Sequence, residues 1–92
     1  RDNIMRLLTK GVLLQLENQY ETEVIDGKKT EVFKGFSSEG KGVLSTVDGL
    51  KKGDFIQVNP YGGSEVPRLG TKKYRFMVIE ERDLLLDFES KV

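Results

Sequence analysis

Three carboxylates fall together late in the chain, Glu80, Glu81 and Asp83, with Arg82 among them. Paired carboxylates can work as general acid and general base when their surroundings split their pKa values. A second candidate is Tyr61-Gly62-Gly63-Ser64, because a glycine-rich turn can lay backbone N–H groups against a phosphate. Each has a plainer reading. Neighbouring charges of both signs are ordinary in a solvated turn, where one acid caps local backbone N–H groups. The glycine pair lacks the Lys and the helix-forming run that a phosphate loop requires. Gly40-Lys41-Gly42 lacks them too and reads as a loop entering a strand.

The rest of the composition narrows the chemistry further. The chain has no Cys and no His, so thiolate nucleophiles, imidazole bases and the usual zinc ligands are absent. No enzymatic activity and no cofactor are expected. Fifteen basic residues balance fifteen acidic ones, which leaves no electrostatic footprint for nucleic acid or an anionic membrane. Phe33, Phe36, Tyr61, Tyr74 and Phe76 could stack bases, but the cationic surplus that tracks phosphates is missing. No apolar run approaches the ~20 residues of a membrane span. The opening Arg1-Asp2-Asn3 does not resemble a secretory signal, so a soluble, cytoplasmic protein is expected.

Ninety-two residues suggest one domain, 1–92, with a small core. Without disulfides or metal, self-association is the remaining way to add burial. Apolar residues recur at every second position, the period of a strand. Residues 7–16 place Val12, Leu14 and Leu16 on one face, with Leu13 and Gln15 on the other. Residues 42–47 and 55–58 are further strands, the latter entered through the turn Lys51-Lys52-Gly53-Asp54. In residues 74–79, Tyr74, Phe76 and Val78 face one way and Met77 and Ile79 the other, which predicts cover on both faces. Residues 84–88 put Leu84, Leu86 and Phe88 together. Five short strands predict an all-β fold, a small, partly open antiparallel β-barrel.

The segment between the first two strands behaves differently. Asp26-Gly27, flanked by TEVI and KKTEVF, predicts a type I′ hairpin, in which both turn residues take positive φ. Counting outward pairs Ile25 with Lys28, Val24 with Lys29, Glu23 with Thr30, Thr22 with Glu31 and Tyr20 with Phe33. Neither face is cleanly apolar, as a core hairpin would be. The expectation is a projecting arm, residues 19–36, that offers Val24, Ile25, Val32, Phe33 and Phe36 to a partner.

Three stretches, taken in order, resemble one family. Residues 50–66, LKKGDFIQVNPYGGSEV, resemble the part of chaperonin-10 (GroES-like) proteins that runs from a V-K-V-G-D turn to a Y-G-G-T-E-V corner. Residues 76–88, FMVIEERDLLLDF, resemble the closing Y-L-I-L-R-E-R-D-I-L-A-I. Less specifically, residues 40–49 resemble the G-x-V-L-x-V-G strand, and Asn3-Ile4 with residues 12–16 resemble the opening strand. The resemblance implies a corner at Tyr61, Gly62 and Gly63, an entry turn at Gly53 and Asp54, and a seven-membered ring that caps a chaperonin. It also implies a subunit interface formed by Val12, Leu14, Leu16, Leu84, Leu86 and Phe88. The sequence departs from the pattern in its arm, where the Asp-Gly hairpin replaces a mobile loop with a G-G-I-V-L-type tripeptide.

Two functions therefore stand side by side. One is a divergent co-chaperonin, of a kind a phage could encode, that docks on a chaperonin ring and leaves ATP chemistry to it. The other is a structural assembly protein on the same barrel, such as a phage capsid decoration or cement protein, located in the virion.

Overall fold

The computed structural model describes residues 5–88, apart from the side chain of Phe36, so Asn3 and Ile4 lie outside the described residues. The elements are β1 (Gly11–Ile25), β2 (Lys28–Phe36), β3 (Glu39–Ser45), β4 (Phe55–Val58), β5 (Ser64–Glu65), β6 (Tyr74–Glu80) and β7 (Leu84–Asp87). Short 3-10 turns at Pro67–Leu69 and Glu81–Asp83 lead into β6 and β7. All pairings are antiparallel, in the order β5-β6-β1-β3-β4-β7, with β2 attached to β1 alone. The fold is all-β and does not close into a barrel. Among the described residues, β5 and β7 end the sheet.

One face of this sheet makes the core. Val12, Leu14 and Leu16 of β1, Ile56 and Val58 of β4, and Met77 and Ile79 of β6 are buried together. The alternation read from the sequence places each of them, since side chains two apart share a face. The opposite face is partly covered as well: Leu13, Leu44 and Val78 line one open apolar groove together with Val66, Leu69 and the segment around Met5 and Leu7. Gly40 lies within β3, a correction to its reading as part of an entering loop, and Gly42 lies in the same strand. At Gly40 the reason is contact, because a Cβ there would sit 2.8 Å from the Gln15 carbonyl oxygen and from the Leu16 side chain.

The first strand and the arm, expected as separate pieces, are one strand. β1 runs fifteen residues; its first half pairs with β3 and β6, and its second half pairs with β2. No Gly or Pro interrupts residues 12–25, so nothing in the chain breaks it.

Candidate functional site

The arm has the register counted from its turn. Ile25 faces Lys28, Val24 faces Lys29, Glu23 faces Thr30, Thr22 faces Glu31 and Tyr20 faces Phe33. Asp26 (φ 52°) and Gly27 (φ 78°) both take positive φ, as a type I′ turn demands. The hairpin is fully formed and stands out from the sheet, in a molecule 51 Å along its longest axis. Val24 at the tip is 70% exposed, and Ile25 and Phe33 are also exposed, whereas Val32 is half-buried. Phe36 pairs through its backbone with Asn18, and its side chain lies outside the described residues.

The arm root is held by the aromatic pair expected from the register and by residues from the entrance of β6. Tyr20 and Phe33 meet edge to face, their centroids 5.7 Å apart. Arg75 of β6 lies 5.4 Å over the Phe33 ring, and Lys72 lies 5.8 Å from the Tyr20 ring centre. Lys72 Nζ also donates to Glu31 Oε1 at 3.1 Å. The Tyr20 hydroxyl donates to the Lys72 carbonyl oxygen at 3.0 Å, and Asn18 Nδ2 donates to the carbonyls of Thr71 and Lys72 at 3.3 and 3.1 Å. The sequence signal was the basic and aromatic run Lys72-Lys73-Tyr74-Arg75 at the start of β6.

Along the arm, charges are arranged in pairs up to the last turn. Lys34 reaches Glu23 Oε2 at 2.6 Å and Glu21 Oε1 at 3.8 Å. At the tip, Asp26, Lys28 and Lys29 form no ion pair among the described residues. The outer edge of β2 carries Lys28, Lys29 and Lys34, side chains that discourage another strand from adding there.

The edge at β7 is built differently. β7 pairs only with β4, and Leu84 turns inward beside Val47 and Leu50 against the core. Leu85, Leu86 and Phe88 are between 48 and 57% exposed, with no Lys among the described residues of this strand. An apolar, undefended edge is a template for another chain. Leu86 and Phe88 are thus on a reachable edge, with Leu84 turned toward the core beside them. Val12, Leu14 and Leu16 are not: they are fully buried in the chain's own core, with β1 paired on both edges at Val12 and Leu14 and with β6 at Leu16. The expected interface role of these three residues is corrected to a core role.

The glycine corner and two of the three carboxylates come together on one open cleft of about 500 Å³, lined by Tyr61, Gly62, Gly63, Glu80 and Asp83 among others, with Glu81 outside it. Each carboxylate is taken up by a different neighbour. Glu80 pairs with Arg82 at 3.3 Å, Glu81 with Lys10 at 3.6 Å, and Asp83 Oδ1 accepts from Asn59 Nδ2 at 3.5 Å. Asn59 in turn fixes the corner, its side-chain oxygen accepting from the Tyr61 N–H at 3.1 Å and its carbonyl from Gly62 N–H at 3.0 Å. Gly63 has φ 92°, and a Cβ on Gly62 would overlap the Asp83 carboxyl group. The Tyr61 ring points into solvent, 96% exposed. The corner is a tight turn. The entry turn is as closely made: Gly53 has φ 98°, and the buried Asp54 accepts from the Lys51 N–H at 3.0 Å. Among the described residues no three potential ligands gather for a metal ion. No helix among them is long and apolar enough to cross a membrane.

Comparison with family models, with curated proteins and with solved structures finds no match in any of the three.

Proposed function

We propose that this chain is a non-catalytic assembly module that self-associates through the β7 edge and grips a larger partner with its arm. The observation that carries this reading is the standing, fully formed hairpin, which holds Val24 and Ile25 in solvent although the chain could not profit from exposing them alone. A chain this small gains from burial against copies of itself, and β7 offers the surface for it. Several weak arms on one ring then add by avidity.

A preformed arm suits a permanent structural contact, such as a capsid decoration or cement protein, because little ordering entropy is lost when it docks. The second reading, a ring that caps a chaperonin, is supported by the residues of the corner and of β4, β6 and β7 that resemble chaperonin-10. In that reading the protein works in the cytoplasm and the partner supplies all nucleotide chemistry.

Native mass spectrometry, alone and then with a chaperonin and ATP, separates the two. A seven-membered ring that joins the chaperonin only with nucleotide establishes the cap. An assembly that ignores the chaperonin establishes the structural role. A monomer at every concentration overturns self-association in both. Replacing Val24, Ile25, Val32 and Phe33 by Ser adds a second test: the structural reading requires loss of assembly, and the cap requires an intact ring that no longer docks.

A further inference from the structure

We infer that the arm is a hinged unit held upright by a cationic latch, in which Lys72 and Arg75 clamp the Tyr20–Phe33 pair from the entrance of β6. The hinge is a bulge at the arm root. Gln19 pairs with Gly35 and Tyr20 with Phe33, so Lys34 has no residue opposite it and the ladder is interrupted there. Gly35 takes φ 131°, a conformation that favours glycine, and a Cβ there would meet nothing within 4 Å. The backbone at this point is therefore special in angle and unsupported by packing.

Just beyond the hinge, the contacts seen between the arm and the sheet among the described residues come from one short stretch, residues 71–75. Lys72 provides a cation to Tyr20, an ion pair to Glu31 and a carbonyl to the Tyr20 hydroxyl. Arg75 lies over Phe33 and also pairs with Glu65 at 3.5 Å, which ties the arm root to the edge strand β5. Asn18 sits at the boundary, its amide bound to the carbonyls of Thr71 and Lys72. Beyond Tyr20 and Phe33 the Glu31–Lys72 ion pair is the contact to the sheet seen among the described residues, and the rest are the hairpin's own cross-strand contacts. A latch of cation–ring and surface ion contacts is weak and sensitive to salt, whereas the core it adjoins is neither. Opening it frees the arm from the sheet and leaves an isolated two-stranded ladder, which is only marginally stable in water and opens more often, while the sheet stays folded. This holds whatever the arm grips and does not depend on the partner.

Amide hydrogen exchange on the free protein tests it, comparing the wild-type chain with the double variant Lys72→Ala/Arg75→Ala. The expected result is at least tenfold faster exchange for residues 20–33, with residues 12–16 and 77–79 unchanged, and the same arm residues accelerated in the wild type by 1 M NaCl. Lys72→Arg/Arg75→Lys, which keeps both cations, returns arm exchange to within threefold of the wild type. Unchanged arm exchange in the double variant overturns the latch, as does core exchange that rises by the same factor. Failure of the charge-conserving pair to restore protection overturns its cationic character.

Discussion

The two halves of β1 belong to one strand and live in different solvents. Residues 12–15 are paired on both edges and, with Leu16, carry the core, while residues 18–25 pair only with β2, reach the entrance of β6 at Asn18 and Tyr20, and are largely exposed. A buried Leu contributes roughly 1.5–3 kcal/mol by leaving water. A cross-strand pair on the arm contributes roughly 0.2–1 kcal/mol, and an exposed ion pair roughly 0–1 kcal/mol. The continuous backbone therefore conceals a steep fall in local stability, which is what an element that docks outside its own domain requires.

The sharpest way to break this comparison is to remove one side chain from each half. Leu14→Ala leaves a cavity beneath the sheet and is expected to lower unfolding free energy by about 2–5 kcal/mol. Val24→Ala changes a residue 70% exposed at the arm tip and is expected to stay within about 0.5 kcal/mol. Urea denaturation of both variants checks the pair. Equal losses would mean that the arm is packed against something in the folded protein.

Glycines extend the contrast from packing to backbone. Gly40→Ala would press a methyl group against the Gln15 carbonyl and the Leu14 and Leu16 side chains, for an expected global loss of about 1–3 kcal/mol in denaturation. Gly27→Ala meets no neighbour but must keep φ near 78°, at about 1–2 kcal/mol. That second loss falls on the arm alone. It is expected to speed amide exchange at residues 22–30 while the urea midpoint of the sheet stays in place, and a matching shift of the midpoint would join the two halves into one cooperative unit.

What could be read from the sequence follows the same division. The arm register was legible residue by residue because Asp26-Gly27 permits one turn type, and that turn fixes every pair up to the bulge. The bounds of β4 were legible because turn residues flank it on both sides. β5 was not, since Ser64-Glu65 has no pattern of its own and is a strand only by lying beside Val78 and Met77. The roles of Val12, Leu14 and Leu16 were misassigned for a related reason. Period-two alternation shows that a face is buried, and it cannot say whether the cover comes from the same chain or from another. Lys72 and Arg75 were missed because their partners are 41 to 52 residues away in the chain, as Glu31, Phe33 and Tyr20 show, and no local pattern encodes such a pairing.

The smallest effect tests how far the arm depends on charge. Glu31→Gln keeps the size of the side chain and removes the anion that Lys72 Nζ reaches at 3.1 Å, on a surface where both side chains are more than half exposed. The expected cost is about 0.2–1 kcal/mol, felt only in arm exchange and shrinking toward zero in 1 M NaCl, where the Debye length is about 3 Å. The cation–ring contacts of Lys72 and Arg75 are untouched by this change, so most of the arm's protection is expected to remain. If the arm instead lost all protection with Glu31→Gln, a single exposed ion pair would be holding the hairpin against the sheet, and the aromatic pair would be a passenger.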